Sequence, residues 1–138
     1  MKSLLTATAL FEFTTGVVLE SDPSAASRLL LGTPLDSPAA LVITRVLGAA
    51  LIAIGAGCWF TRDRADAGLL AALLLYNLGA VAVLVDARIG LGLSGLALWP
   101  AVILHAALAV WCLACLRTAR RDQKSADSWE GEAPAGPG

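Results

Sequence analysis

Charge is the scarcest commodity in this sequence. Only 15% of its 138 residues are Asp, Glu, Lys or Arg, and 57% are hydrophobic. Ordinary globular domains carry about 25% charged residues. A soluble domain of this length has too little interior to hide so much Leu, Ala and Val. The mean hydropathy of +0.73 points to lipid as the solvent for the surplus. Lys and Arg form no cluster interleaved with aromatics, and the net charge is −1, so the electrostatic footprint of a nucleic-acid binder is missing. Cysteine is rare too. Cys58, Cys112 and Cys115 all lie in apolar runs and none in a loop, which argues against an extracytoplasmic disulfide framework. There is no phosphate loop, nucleophile elbow or carboxylate pair. No catalytic residue and no cofactor is therefore expected, and nothing marks the chain as an enzyme.

What is present is a set of long apolar runs. A bilayer core needs about 20 mainly apolar residues in a helix, and four stretches meet or approach that: 3–19, 38–60, 67–85 and 96–116. Lipid-exposed strands or loops could not replace them, because unpaired backbone groups in hydrocarbon cost several kcal/mol each. The first run, with Lys2 before it and "SAAS" after it, has some features of a signal peptide. A central Glu12 and a run longer than 15 residues oppose that reading. The expected fold is all-α: a four-helix transmembrane bundle over 1–116 and a disordered cytoplasmic tail over 117–138, whose polar, Gly- and Pro-rich composition cannot bury enough surface to fold alone. Trp129 in that tail is a candidate docking residue.

The first connecting loop has its own grammar. In "SDPSAASRLLLG", Asp22 suits an N-cap, Pro23 the first helical position and Gly32 the terminator of a short interfacial helix. It lies either on the membrane surface through Leu29–Leu31 or against the bundle rim. Asp36 or Ser37 can cap the second span, and Pro100 falls in an early turn of the fourth, where it kinks the helix if that helix begins upstream. Lys2, Arg62, Arg64, Arg117, Arg120, Arg121 and Lys124 fall on one side of the spans, with Arg28 and Arg88 on the other. The positive-inside rule then puts both termini in the cytoplasm of a bacterial inner-membrane protein.

Each span carries one strong polar residue. Counting 1.5 Å per residue from the cytoplasmic ends, Glu12 and Asn77 lie ~12 Å deep and His105 ~16 Å, in a core of about 30 Å, with Arg45 ~22 Å up. A charge facing lipid costs about 2.5–3.5 kcal/mol even on the mild insertion scale, so the four are expected to face one another. Helical spacing supports this. Thr8, Glu12, Thr15 and Gly16 share a stripe, as do Arg45, Ala49, Ala53 and Gly57. So do Gly68, Ala72, Tyr76 and Ala80 with Asn77 beside them, and Ala101, His105, Ala109 and Cys112. Glu12 is expected to point at His105 or Arg45, with Arg45 otherwise snorkelling to Glu20, Asp22 or Asp86. The CxxC at Cys112 and Cys115 lacks the additional loop cysteines of vitamin K epoxide reductase proteins, which also carry a CxxC in a four-helix membrane bundle. His105 and Cys115 are nearly three turns apart, so no metal site is expected.

Gly16, then Pro23 with Leu30, Leu31 and Gly32, then "RVLGAALIAIG" with Arg45 and Gly48, follow one another in an order that resembles the DoxX-like superfamily of small bacterial four-span membrane proteins. The likeness covers residues 3–116. It implies the four-span fold and membrane location. Some relatives are linked to sulfur or quinone redox chemistry, but no residue here carries that chemistry over. Two functions remain. The first is a structural or interaction module whose partners are the lipid bilayer and either a second copy or another membrane subunit. The alternative is a proton- or small-ligand-handling protein, for a quinone or an anion, using Glu12, Arg45, Asn77, His105 and the neighbouring Tyr76.

Overall fold

Asp22 ends one helix and starts the next. The computed structural model describes residues 1–64 and 66–131, with side chains as far as residue 121. It contains α1 (Lys2–Ser21), α2 (Pro23–Leu31), α3 (Pro38–Thr61), α4 (Ala67–Ile89) and α5 (Leu98–Gly131), and no strand among the described residues. Asp22 accepts from Ala25 N at 2.9 Å, Pro23 occupies the first turn of α2, and Gly32 closes it at φ 82°. Ser37 caps α3 through Ala40 N, and Asp66, which the sequence reading did not single out, caps α4 through Leu69 N. Pro100 sits in the first turn of α5, where its missing N–H has no intrahelical partner to lose.

α1, α3, α4 and the first part of α5 are each long and apolar enough to cross a membrane. Their outward faces are greasy: Phe60 is 83% exposed, Leu75 73% and Val83 69%. A soluble monomer does not leave such faces bare, so the protein is a multi-pass membrane protein. It is an all-α, four-helix bundle with α2 on its rim: α2 touches α1, α3 and α5 and buries Pro23 and Ser27 while Leu29 stays exposed.

The bundle is two helix pairs, α1 with α3 and α4 with α5. The α1–α3 contact is set by glycine. A Cβ on Gly16 would lie 2.6 Å from the Gly48 carbonyl oxygen, and one on Gly55 would lie 2.8 Å from Phe13 N and 2.9 Å from the Ala9 carbonyl oxygen. Small residues let backbones approach this closely. The buried stripe of α3 is therefore Gly48, Leu51, Gly55 and Cys58. This corrects the expectation for Arg45. Arg45, Ala49, Ala53 and Gly57 are all exposed. That stripe runs along nearly the opposite side of the helix, ~160° from the true one at 100° per residue. Two stripes of small residues compete on α3, and spacing alone does not say which meets α1.

α5 also departs from expectation. It does not end at 116 but runs to Gly131, ~22 Å further at 1.5 Å per residue. Extending an existing helix needs no new nucleus, and Ala, Arg, Gln and Lys between 117 and 126 are good helix formers. Residues 132–138 of the expected tail, and the Trp129 side chain, lie outside what is described.

At the end bearing both Met1 and Leu116, an apolar cluster joins all four long helices: Leu4, Leu5 and Ala9, Cys58, Leu70 and Leu73, Leu108 and Cys112. Lys2 Nζ meets Asp63 Oδ1 there at 2.7 Å, tying the start of α1 to the turn after α3.

Gly55→Ala is expected to lower stability by about 1–3 kcal/mol, the range for overpacking. Gly57→Ala, in open space, should raise it by up to about 1 kcal/mol through helix propensity. Denaturation in mixed micelles measures both. The Lys2 ammonium holds the Asp63 carboxyl below its usual range. A lowered native pKa stabilises above the unfolded value and is lost as pH falls through the native one. The small melting-temperature deficit of Asp63→Asn against wild type at pH 7 should therefore shrink below about pH 3.9.

Candidate functional site

One turn above the apolar cluster the chemistry changes. Ala9 gives way to Glu12, Leu73 to Asn77 and Leu108 to His105, each three or four residues away on its helix and so on the same face. Glu12 and Asn77 have no exposed surface, and His105 is 7% exposed. Hydrogen bonds and ring contacts put the three residues at one level of the bundle.

Their partners differ from those expected. Glu12 bonds neither His105 nor Arg45; its Oε2 accepts from the Tyr76 hydroxyl at 2.9 Å. Asn77 Nδ2 donates to the Leu73 carbonyl at 2.8 Å, which turns Oδ1 toward His105 Nδ1, 2.9 Å away. An amide oxygen only accepts, so the proton on that ring nitrogen points at Asn77. The His105 ring meets two others edge-on, Phe11 and Tyr76, each with centroids 5.7 Å apart. Arg45 is absent from the group: it faces outward on α3, and among the described residues the ion pairs involve Lys2, Arg62 and Asp63, none of them Arg45 with Glu20, Asp22 or Asp86.

The layer sits on the seam between the helix pairs. Glu12 and Phe11 come from α1, Tyr76 and Asn77 from α4, and His105 from α5. The Tyr76–Glu12 bond crosses from one pair to the other, as does the Phe11–His105 ring contact. Two buried atoms are left over. Glu12 Oε1 and, one turn below it, Thr8 Oγ1 have no hydrogen-bond partner among the described residues. Thr8 and Phe11 were missed as members of the site. Thr8 was visible as part of the Glu12 stripe, whereas Phe11 carried no signal that separated it from lipid-facing Phe13.

No group of three or more His, Cys, Asp or Glu that could hold a metal occurs among the described residues. Cys112 is buried in the apolar cluster, and Cys115 is half-buried beside it. The chain matches no protein-family model, no curated protein and no solved structure. Fold and site together define a class, the small multi-pass membrane bundle with an internal polar layer, and its activity has to be argued from the geometry.

Tyr76→Phe keeps the ring against His105 and deletes only the donor. It should lower stability by about 1–3 kcal/mol, the penalty for stranding a buried acceptor, and not by the ~0.6 kcal/mol average of an interhelical hydrogen bond with adaptable partners. Removing both partners, in Tyr76→Phe with Glu12→Leu, should recover most of that loss in the same unfolding assay.

Proposed function

We propose that the chain is a structural or interaction module of the bacterial inner membrane, with both termini cytoplasmic, whose polar layer latches two helix pairs into one body. The observation that carries this reading is the Tyr76–Glu12 bond, which crosses the seam between the two helix pairs. In lipid there is no hydrophobic force between helices, so a polar bond across a seam does more to select that pairing than an added Leu would. The resemblance to the DoxX-like superfamily agrees in span number. The orientation rests on Lys2, Arg62 and Arg64 and the Arg117–Arg121 basic run, which share the end that carries Met1. The partner is lipid, together with a second copy or another membrane subunit. For such a helix, the exposed Ala49, Ala53 and Gly57 on α3 offer a close approach.

A second reading has its own support. A latch does not require the free oxygens of Glu12 and Thr8, whereas handling a proton or a small ligand does use a buried carboxyl oxygen that has no partner among the described residues. Arg45 no longer contributes to it, which weakens the case for an anion and leaves a proton or a quinone-like hydrogen-bonding headgroup.

Glu12→Gln separates the two. Thermal melts of wild type and Glu12→Gln are run across pH and against quinones and small anions. For a latch, no compound moves either protein, and any pH dependence confined to wild type is the ordinary linkage of a buried carboxyl group. A compound-dependent shift confined to wild type would establish the second reading. Reporter fusions at each end should both report the cytoplasm; a split result sinks the proposed topology.

A further inference from the structure

The α1–α3 pair leaves a furrow on its outer surface, in the half of the bundle that carries the termini. It is an open groove of about 300 Å³. Ala9, Gly55 and Ala56 form its floor, and Phe13, Trp59 and Phe60 rise as walls. The groove exists because the backbones meet at Gly55 while the flanking side chains are aromatic. A second helix does not seat well there, since helix contacts in lipid favour small residues on the approaching face. A slender, flexible apolar chain does.

The mouth of the groove is charged. The Arg62 guanidinium lies 3.7 Å from the centroid of the Trp59 ring, one residue past the end of α3. Asp63, the nearest carboxylate, is taken by Lys2 at 2.7 Å, and Arg62 Nε stands 3.8 Å from its other oxygen. Arg64 is exposed two residues on, while Asp66 is occupied as the N-cap of α4. Lys2, Arg62 and Arg64 outnumber Asp63 and Asp66 here, so the mouth keeps a net positive charge. A Trp with an Arg on its face is also the arrangement that favours the headgroup level of a bilayer.

We infer that the groove holds one acyl chain of an anionic phospholipid, with the lipid phosphate at Arg62. The apolar part of the groove cannot by itself choose among lipids, because every acyl chain is equally at home in the surrounding bilayer. Choice comes from the cation at the mouth. One basic residue near an anionic surface corresponds to about a fivefold preference. The groove fixes where that preference is expressed. The inference does not depend on the polar layer at Glu12, which lies inside the bundle.

The test uses the full chain with Trp99, Trp111 and Trp129 changed to Phe, so that Trp59 alone reports. It is reconstituted in phosphatidylcholine vesicles containing either phosphatidylglycerol or phosphatidylcholine with brominated acyl chains, and Trp59 quenching is followed against mole fraction. Half-maximal quenching should need about fivefold less brominated phosphatidylglycerol than brominated phosphatidylcholine. Arg62→Gln should bring the two curves together without reducing quenching by phosphatidylcholine. Ala56→Leu, which fills the floor, should weaken quenching by both lipids; Thr14→Leu serves as the filling variant if Ala56→Leu does not reconstitute. Equal curves in the parent, or a preference that survives Arg62→Gln, overturns the inference. So does a filling variant that changes oligomeric state while leaving the lipid curves alone, since the groove would then be a protein contact.

Discussion

Hydrocarbon offers no hydrogen bonds, so every polar side chain carried into it must find its partner within the protein. That constraint organises this bundle. Lipid-facing surfaces can be covered by Leu, Val and Phe in almost any arrangement, but Glu12, Asn77 and His105 cannot. Once they occupy one level, Tyr76 has to supply a proton to the carboxylate and Asn77 has to face the imidazole, and the rotations of α1, α4 and α5 are thereby fixed relative to one another. The α1–α3 pair obeys a different rule. There van der Waals contact, made possible by Gly16, Gly48 and Gly55, replaces polar bonding. One pair is held by closeness and the seam by chemistry.

The seam is also closed at both ends. At the terminal end, the apolar cluster of Leu4, Leu5, Cys58, Leu70 and Leu116 spans all four long helices. At the opposite end, the connection between α4 and α5 runs under α2: Ser94 N donates to the Leu31 carbonyl at 3.1 Å and Ala97 N to the Leu29 carbonyl at 2.9 Å. These bonds satisfy carbonyls that the end of a short helix would otherwise leave unpaired. Gly95 lies so close under the Leu29–Leu30 backbone that no side chain fits. So α2 is a strap: it comes from the α1–α3 pair and is bonded to the loop of the α4–α5 pair. The polar layer lies between these two closures, where apolar contact alone would leave the relative rotation of the pairs loosely specified.

Much of this was legible in the residues. Asp22, Pro23 and Gly32 spelled out α2 because cap and terminator chemistry is local, and local rules depend on few neighbours. The four spans followed from length and composition, since the bilayer imposes both. Counting residues from the helix ends put Glu12, Asn77 and His105 at similar depths. Hydrogen-bond partners did not follow, because depth narrows a choice to one layer but not to one atom, and Tyr76 was read as a neighbour of Asn77 when it is the partner of Glu12. The rotation of α3 was misread for a related reason: Gly48 with Gly55 and Ala49 with Ala53 both satisfy the small-residue rule. Only the presence of α1 decides between them. The length of α5 was missed because a polar composition was taken as a reason to end the helix, although a helix already formed continues through polar residues that are good helix formers.

Arg45 then becomes informative by its position. It is exposed on the lipid side of α3, ~10 Å from the start of that helix at 1.5 Å per residue, within reach of the headgroups for a side chain of its length. Had it belonged to the polar layer, Glu12 would have had a cation and both carboxylate oxygens could have been satisfied by its fork of donors. Instead the layer holds a carboxyl group with a single neutral donor, and the chain's one intramembrane cation is directed elsewhere. The separation of the two is what keeps one Glu12 oxygen unmet. That unmet oxygen, with the Thr8 hydroxyl one turn below it, is what a purely structural latch leaves unexplained, and any activity inside the bundle has to begin there.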